Sequence, residues 1–328
     1  MILLAFVLQE GELRLTEMPE PEAQHGEVVV RLKVAGLNRR DLYIQNRWGN
    51  KDVPLILGSD GAGIIEAIGE GVTEFKIGDE VMINPSLNWV KNSEAPPKGF
   101  DILGMPDHGT FAEKIAITSN QVERIPSHFT WEEAGVFVLS ALTGYRALFT
   151  KGDLQSGDAI FIPGVGSGVA TYMVQLANAI GAKVIVSSRH NDKRKKALEI
   201  GAFKAIDTNG DWQQLLSDES IDIVIDSVGG ATFNRSLQIL KQGGTMVTFG
   251  ATTDDVVSIN IRDFFYGQYK LIGSTMGSKE ELGDLISLMK KHELKPIVGK
   301  TFSFNDIQTA FDFLEENHQF GKIAIKMD

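Results

Sequence analysis

The chain contains no cysteine. That excludes disulfides, a thiol nucleophile, iron–sulfur ligation and every thiolate-based zinc site. Histidine is scarce too. His25, His108, His128, His190, His292 and His318 are the whole set, and no two have the spacing of a helical H-x-x-x-H ligand pair. No apolar run reaches the ~18 residues of a membrane span. The opening stretch MILLAFVLQEGELRL has no basic n-region of a secretory signal, and reads as two short strands around a turn at Gln9-Glu10-Gly11. A cytoplasmic protein is expected. Positive charge is in deficit, with 32 Lys and Arg against 43 Asp and Glu, a net charge of −11. Recognition of a phosphate backbone or an anionic bilayer needs clustered basic surface, and residues 193–196 form the single basic run. Nucleic acid and membrane are therefore not expected partners, and a small molecule is.

What is present begins with GVGSGVA, residues 164–170. It separates the apolar run 159–162 from an amphipathic pattern carried by Val169, Met173, Leu176, Ala177 and Ile180. Glycines at such a place let the backbone turn sharply beside a pyrophosphate, and the helix that follows aims its first N–H groups at the charge. A strict G-x-G-x-x-G/A starting at Gly164 and Gly166 needs a small residue at 169, where Val169 stands; Ala170 follows. Further apolar runs at 184–187, 205–207, 221–226, 245–249 and 271–275 alternate with helical patterns. One helix starts at Asn191 or Asp192 and ends at Gly201; another carries Phe233, Leu237 and Leu240 and stops at Gly243-Gly244. The expected fold class is α/β, with a doubly wound, six-stranded parallel Rossmann sheet.

The first part of the chain differs. Residues 1–124 show short strands and tight turns, such as EVVVRLKVAG, GAGIIEAIG, GDEVMINP and GTFAEKIAI, which predict an irregular β unit. From about 279 the pattern returns to helix, strand, helix (Ile307, Ala310, Phe311, Leu314) and a last strand over 323–326.

Taken together, VAGLNRRDLYIQNRWG (34–49), PLILGSDGAGIIEAIGEGVTEFKIGDEV (54–81), the glycine turn and FGKIAI (320–325) resemble the medium-chain dehydrogenase/reductase superfamily over essentially the whole chain, and within it the zinc-free, quinone-oxidoreductase-like branch. The resemblance implies a GroES-like catalytic domain (1–124), a Rossmann NADP-binding domain (125–278), a C-terminal segment (279–328) that returns to the catalytic domain, and a cofactor cleft between the two domains. Zinc members of the superfamily place a Cys in the segment matching 35–41 and Gly-His-Glu in that matching 58–60. Here those segments hold Leu37-Asn38-Arg39 and Gly58-Ser59-Asp60, so no catalytic metal is expected. The lobe where relatives bind a second zinc, 84–107, carries Trp89, Lys91, Pro96, Pro97 and Phe100, which points to apolar packing in place of a metal. Glu94, Asp101, Asp107 and His108 in that lobe read as a solvated loop rather than a cation site.

Cofactor choice follows from charge. A carboxylate at the end of the second Rossmann strand favours NAD; here the strand ends Ser187-Ser188-Arg189, with no acid before Asp192. Ser188, Arg189 and Lys193 suit a 2′-phosphate, so NADPH is expected. Gly164, Gly166, Ser167, Gly168 and Val169 would cradle the pyrophosphate. Val228, Gly250 and Ala251 lie at strand ends, where open α/β sheets bind ligands. The resemblance adds Thr143, Ser274, Thr275 and Met276 beside the nicotinamide, and Lys322 as a basic residue reaching the cofactor; the alternative for Lys322 is a surface lysine before an edge strand. Hydride transfer to an electron-poor acceptor, a quinone or an α,β-unsaturated carbonyl, needs alignment more than a Lewis acid, whereas an alcohol needs help with its alkoxide. Asn38, Asp41, Tyr43 and Ser59 are the candidate catalytic residues, with Asp41 equally readable as a helix-start residue that orders its loop. Trp48 and Tyr266 are aromatic candidates for stacking on a flat acceptor. Two other function classes stand beside this one: a zinc-free NADP-dependent alcohol dehydrogenase, and a non-catalytic NADPH-binding sensor. An exposed sixth strand predicts a homodimer joined edge to edge.

Overall fold

The computed structural model describes residues 2–327. They divide into two compact units, residues 1–140 with 278–328, and residues 141–277. The first break lies C-terminal to the expected boundary at 124, because the helix Trp131–Gly135 packs on the strands Glu27–Leu37 and Asp60–Ile68 of the first unit.

The first unit opens with an antiparallel hairpin, Ile2–Gln9 and Glu12–Pro19, closed by Glu10 and Gly11 at φ +52° and +82°. Two residues with positive φ make the primed turn that suits the right-handed twist of paired strands. The main sheet runs Val122–Arg124, Glu80–Ile83, Asp60–Ile68, Glu27–Leu37, Lys322–Lys326, Val298–Ser303, with Lys114–Thr118 also paired to Glu27–Leu37. The C-terminal strand Lys322–Lys326 is thus internal. It pairs antiparallel with Glu27–Leu37 and parallel with Val298–Ser303. The core below includes Phe6, Phe111 and Phe311, with Phe111 and Phe311 edge to face at 5.9 Å.

Gly36 sits at the crossing point of these elements. It pairs with Asp60 on one side and Ala324 on the other. A Cβ there would come within 2.6 Å of the Gly135 carbonyl and 2.8 Å of Asp60 Cβ, so a side chain would push the helix Trp131–Gly135 off the sheet.

In the lobe 84–107, Trp89 is buried and meets Phe100 edge to face at 5.2 Å, while its Nε1 donates to Ser93 Oγ. Lys91, Pro96 and Pro97 are exposed and add nothing to that packing.

The second unit is a six-stranded parallel sheet in the order Lys204–Asp207, Lys183–Ser188, Ala159–Ile162, Ile221–Asp226, Leu240–Thr248, Lys270–Gly273. The two halves wind outward from the first strand, as a dinucleotide fold requires. Two details differ from the sequence reading, the cap of one helix and the end of another, while the weak helical pattern between the fifth and sixth strands is matched by a short helix. The N-cap of the helix Asn191–Glu199 is His190, not Asn191 or Asp192. Leu240 ends no helix but begins a strand, pairing with Ile221 before a register shift. The link from the fifth to the sixth strand keeps only a short helix, Ile261–Tyr266.

Candidate functional site

In the first unit, three neighbouring strands deliver polar groups to one end of the sheet. Asn38 follows Glu27–Leu37, Asp60 opens Asp60–Ile68, and Lys322 opens Lys322–Lys326; pairing of Ile323 with Leu37 brings Lys322 level with Asn38. All are buried: Asn38 at 5% exposure, Asp60 at 1%, Lys322 at 3%, with Ser140 also at 3%. Lys322 Nζ donates to Asn38 Oδ1, to Asp60 Oδ2 at 3.2 Å and to Ser140 Oγ at 3.2 Å. Asn38 Nδ2 donates to Asp60 Oδ2 at 3.0 Å and to the Gly36 carbonyl at 3.2 Å. Ser140 Oγ donates to Asn38 Oδ1 at 3.3 Å, and the second oxygen of Asp60 accepts from the Leu139 N–H at 2.7 Å. Lys322 is therefore no surface lysine, and its strand is no edge.

A second cation lies alongside. Arg40 Nη1 donates to Ser59 Oγ at 2.5 Å and to the Leu103 carbonyl at 2.8 Å, and Ser59 Oγ itself donates to that carbonyl at 2.7 Å. Burial holds the Arg40 guanidinium below its ordinary pKa, against the opposing pull of Asp41 and Asp60. Asp41 accepts the Asn38 backbone N–H at 2.8 Å through Oδ2, which closes the start of the helix Arg39–Trp48. Its Oδ1 has no hydrogen-bond partner among the described residues. Asp41 thus orders the start of its helix. Burial pushes its pKa up to about 6, opposed by Arg40, the Asn38 N–H and Lys322.

Tyr43 stands on the outer face of the same helix, 40% exposed, and is not drawn into this network. Trp48 donates from Nε1 to the Val53 carbonyl, with Lys51 over its ring, and Tyr266 lies 66% exposed beside Phe265. Sequence reasoning missed Ser140, Asp60 as an ion-pair partner, and Arg40. Two signals were available: the adjacent arginines before Asp41, and the serine three residues before Thr143.

These donors do not fit a zinc ion. Asn38 is an amide with both hydrogens committed, Ser59 is held by a guanidinium, and the Asp60 carboxylate already pairs with an ammonium. Among the described residues no three His, Asp or Glu side chains are grouped to hold a metal. In the lobe, His108 Nδ1 accepts the Ile56 N–H, and burial lowers the imidazole's pKa.

The second unit presents the other half of the chemistry. Gly164 and Gly166 adopt φ +77° and +134°. A Cβ on Gly166 would meet Lys193 Cδ at 2.9 Å, so the Lys193 stem crosses the turn. Ser167 caps the helix Gly168–Ala179 by accepting the Ala170 N–H, and a helix start leaves its first N–H groups for a ligand. Val169 packs beside Gly144: a Cβ built on Gly144 lies at ordinary contact distance, 3.6 Å, from Val169 Cγ1. Thr143, one residue earlier, is nearly buried. Val228 Cγ2 lies 3.2 Å from where a Gly164 Cβ would be. Asp226 shapes that neighbouring turn by accepting the Val228 and Gly229 N–H groups. Gly250 and Ala251 follow the fifth strand, and Ser274, whose N–H donates to the Thr248 carbonyl, leads Thr275 and Met276 out of the sixth. The turn after the fourth strand thus lies against the glycine turn, and the fifth and sixth strands end along the same edge of the sheet. The backbone geometry of the glycine turn and its open helix start fit a dinucleotide pyrophosphate.

At the end of the second strand, Ser188 Oγ accepts the His190 N–H and Arg189 is exposed. Arg194, not singled out from sequence, donates to the Ser188 carbonyl at 2.6 Å and pairs with Asp207 at 3.2 Å. Asp207 lies beside Ser188 in the strand register, so a carboxylate is present here after all, brought by the third strand and countered by Arg194.

A GroES-like unit that carries a buried polar cluster, joined in one chain to a doubly wound unit with a pyrophosphate turn, defines a dinucleotide-dependent oxidoreductase. Comparison with known proteins agrees. Residues 24–127 match the family described as Alcohol dehydrogenase GroES-like domain, and residues 168–291 that described as Zinc-binding dehydrogenase. The chain is 30% identical to the zinc-type alcohol dehydrogenase-like protein C1773.06c of Schizosaccharomyces pombe, over 95% of this chain and 94% of that one. It is 28% identical to the acryloyl-coenzyme A reductase of Sulfurisphaera tokodaii, over 95% of this chain and 96% of that one. The crystal structure of an NAD-dependent alcohol dehydrogenase superposes with a TM-score of 0.91 at 31% identity, covering 99% of this chain and all of that one. The chain belongs to the medium-chain dehydrogenase/reductase superfamily, and is an oxidoreductase of it.

The Asp41 environment makes a pH-dependent prediction. Its folded-state pKa lies above the ordinary carboxylate value, so the native state holds this proton more tightly than the unfolded one. The stability that proton contributes is complete below about pH 4 and is lost as pH rises through about 6. Asp41→Asn removes the loss, and should raise stability at pH 8 by on the order of 2–3 kcal/mol while matching the wild type near pH 4. Thermal melts across that range check it; a variant less stable than wild type at pH 8 would show that the charge itself is needed there.

Proposed function

We infer that the protein is an NADPH-dependent reductase that needs no metal and delivers hydride to an acceptor already electron-poor, an α,β-unsaturated carbonyl or a quinone. The observation that carries this reading is the buried cluster in which Asn38, Arg40, Ser59 and Asp60, from the segments where the resemblance puts the zinc ligands, are joined by Ser140 and Lys322. Fixed cations and neutral donors suit a charge that develops late and is delocalised. They supply no general base or Lewis acid for removing an alcohol proton. The likeness to an acryloyl-coenzyme A reductase supports an activated alkene as the acceptor.

In this reading the glycine turn and the start of the helix Gly168–Ala179 hold the pyrophosphate. Ser188, Arg189 and Lys193, joined by Arg194, hold the 2′-phosphate, and Thr143, Val228, Gly250, Ala251 and Ser274 to Met276 line the remainder. When bound, the reduced nicotinamide supplies the hydride. The test of the reading is NADPH oxidation by purified protein with 2-enals, enones and quinones, set against oxidation of alcohols with NADP⁺. Alcohol oxidation as the faster reaction would favour the dehydrogenase reading. Tight NADPH binding with no turnover on any acceptor would favour the sensor.

Cofactor preference has its own test. A charged hydrogen bond from Arg189 to a phosphate contributes ~1.5–3 kcal/mol, roughly ten- to a hundred-fold in affinity. Arg189→Ala should weaken NADPH by that factor in a fluorescence titration and leave NADH nearly unchanged. Equal loss for both would assign Arg189 another role.

The same reading carries a homodimer. The strand Lys270–Gly273 ends its sheet, and Val256, Ile261, Phe265, Tyr266 and Leu271 expose apolar surface in the same unit. Edge pairing with a two-fold copy satisfies the free N–H and C=O groups and covers that surface. Sedimentation at micromolar concentration should give the mass of two chains, and Phe265→Glu should shift it toward one; a wild-type monomer would refute the assembly.

A further inference from the structure

Of the two hydroxyl hydrogens in the buried cluster, that of Ser140 is held more loosely than that of Ser59. Both amide hydrogens of Asn38 are committed, to Gly36 and Asp60, and all three of Lys322 are committed, to Asn38, Asp60 and Ser140. Ser59 gives its hydrogen to the Leu103 carbonyl at 2.7 Å. Ser140 gives its hydrogen to a more distant acceptor, Asn38 Oδ1 at 3.3 Å, against ~2.7–2.8 Å for an ordinary O–H···O bond. That acceptor is already served by the Lys322 ammonium. Redirecting the Ser140 hydroxyl therefore leaves no buried group without a partner. The Ser140 oxygen meanwhile accepts from the same ammonium, and a hydroxyl that accepts from a cation is itself a stronger donor.

We propose that Ser140 Oγ–H stabilises the negative charge that develops on the acceptor's carbonyl oxygen, with Lys322 as the positioning residue that orients and polarises it. This rests on the reading of the protein as a reductase of α,β-unsaturated carbonyls. The reduced nicotinamide, when bound, would supply the hydride, whose two electrons make the new C–H bond at the β-carbon. The alkene pair moves to join the α-carbon to the carbonyl carbon, and the carbonyl π pair moves onto oxygen. The Ser140 hydrogen swings from Asn38 Oδ1 to that oxygen. A proton from water closes at the α-carbon, the carbonyl re-forms, and the hydroxyl returns to Asn38. The products are the saturated carbonyl and the oxidised nicotinamide. Asp60 keeps the ammonium in place and, through the Leu139 N–H, fixes the backbone next to Ser140.

Three variants test this. Ser140→Ala should lower kcat for a 2-enal by ~10²–10³, with KM and NADPH affinity close to wild type and a lower melting temperature because Lys322 loses one of its three acceptors, and should slow quinone reduction less. Ser140→Thr keeps the hydroxyl and should recover most of the enal rate. The pair Lys322→Met with Asp60→Asn removes a charge and its counter-charge together; it should bind NADPH normally by fluorescence and still lose enal turnover. Full enal kcat in Ser140→Ala overturns the proposal, as does a double variant that folds and turns over at the wild-type rate. Loss of NADPH affinity in the double variant returns Lys322 to the cofactor role. If the double variant does not fold, the Ser140 pair decides. If wild-type protein reduces no enal or enone with NADPH, the functional reading fails and takes this proposal with it. If wild type is active and Ser140→Ala is unimpaired, the proposal alone fails.

Discussion

The ion pair between Lys322 and Asp60 is the constraint on which the first unit is arranged. An ammonium and a carboxylate taken out of water each carry a desolvation penalty of several kcal/mol, recovered only when geometry is good and every remaining hydrogen finds an acceptor. Here it does: the ammonium has three acceptors, and the carboxylate accepts from Lys322, Asn38 and the Leu139 backbone. That satisfaction depends on three strands ending in register. It also depends on Gly36 admitting the helix Trp131–Gly135, which leads directly into the Leu139-Ser140 segment. Removing one member leaves the other charge buried and unpaired, at a cost of ~3–5 kcal/mol. The C-terminal strand is thereby bound to residues far from it in sequence by charge as well as by backbone pairing.

The same pair bears on how a chain that lacks the Cys and His of zinc relatives in segments 35–41 and 58–60 could serve an acceptor without a metal. A catalytic metal contributes a fixed positive charge at the point where negative charge grows. In the proposed reading Arg40, from a segment the resemblance assigns to a metal ligand, and Lys322 beside it contribute fixed positive charge from within the chain, with Ser59 and Ser140 as hydroxyls that each accept from one of them. Such an arrangement is weaker than a Lewis acid and suits acceptors that need less stabilisation.

The Rossmann unit was legible from the sequence because its signals are local. Apolar strand runs, glycines at 164 and 166, and capped helices each depend on neighbours in the chain, and the six strands fall where those signals put them. Val169 departs from the glycine pattern, and its neighbour Gly144 lies on another helix that the local pattern does not reveal. The buried cluster was only half legible. Asn38, Asp41 and Ser59 were found through the segments they occupy, but no pattern within either segment says that Lys322 meets Asn38 and Asp60, since that follows from pairing of strands nearly three hundred residues apart. Ser140 was missed for the same reason, and the carboxylate of Asp207 went unnoticed because the third strand, not the second, brings it beside Ser188.

The central claim is that side-chain cations, and no metal ion, serve the acceptor site. It is tested most directly by measuring metal content and turnover in one sample: elemental analysis of purified protein, together with NADPH-dependent enal reduction before and after treatment with a strong chelator. The account predicts far less than one zinc per chain and an unchanged rate. Stoichiometric zinc whose removal abolishes turnover would contradict it.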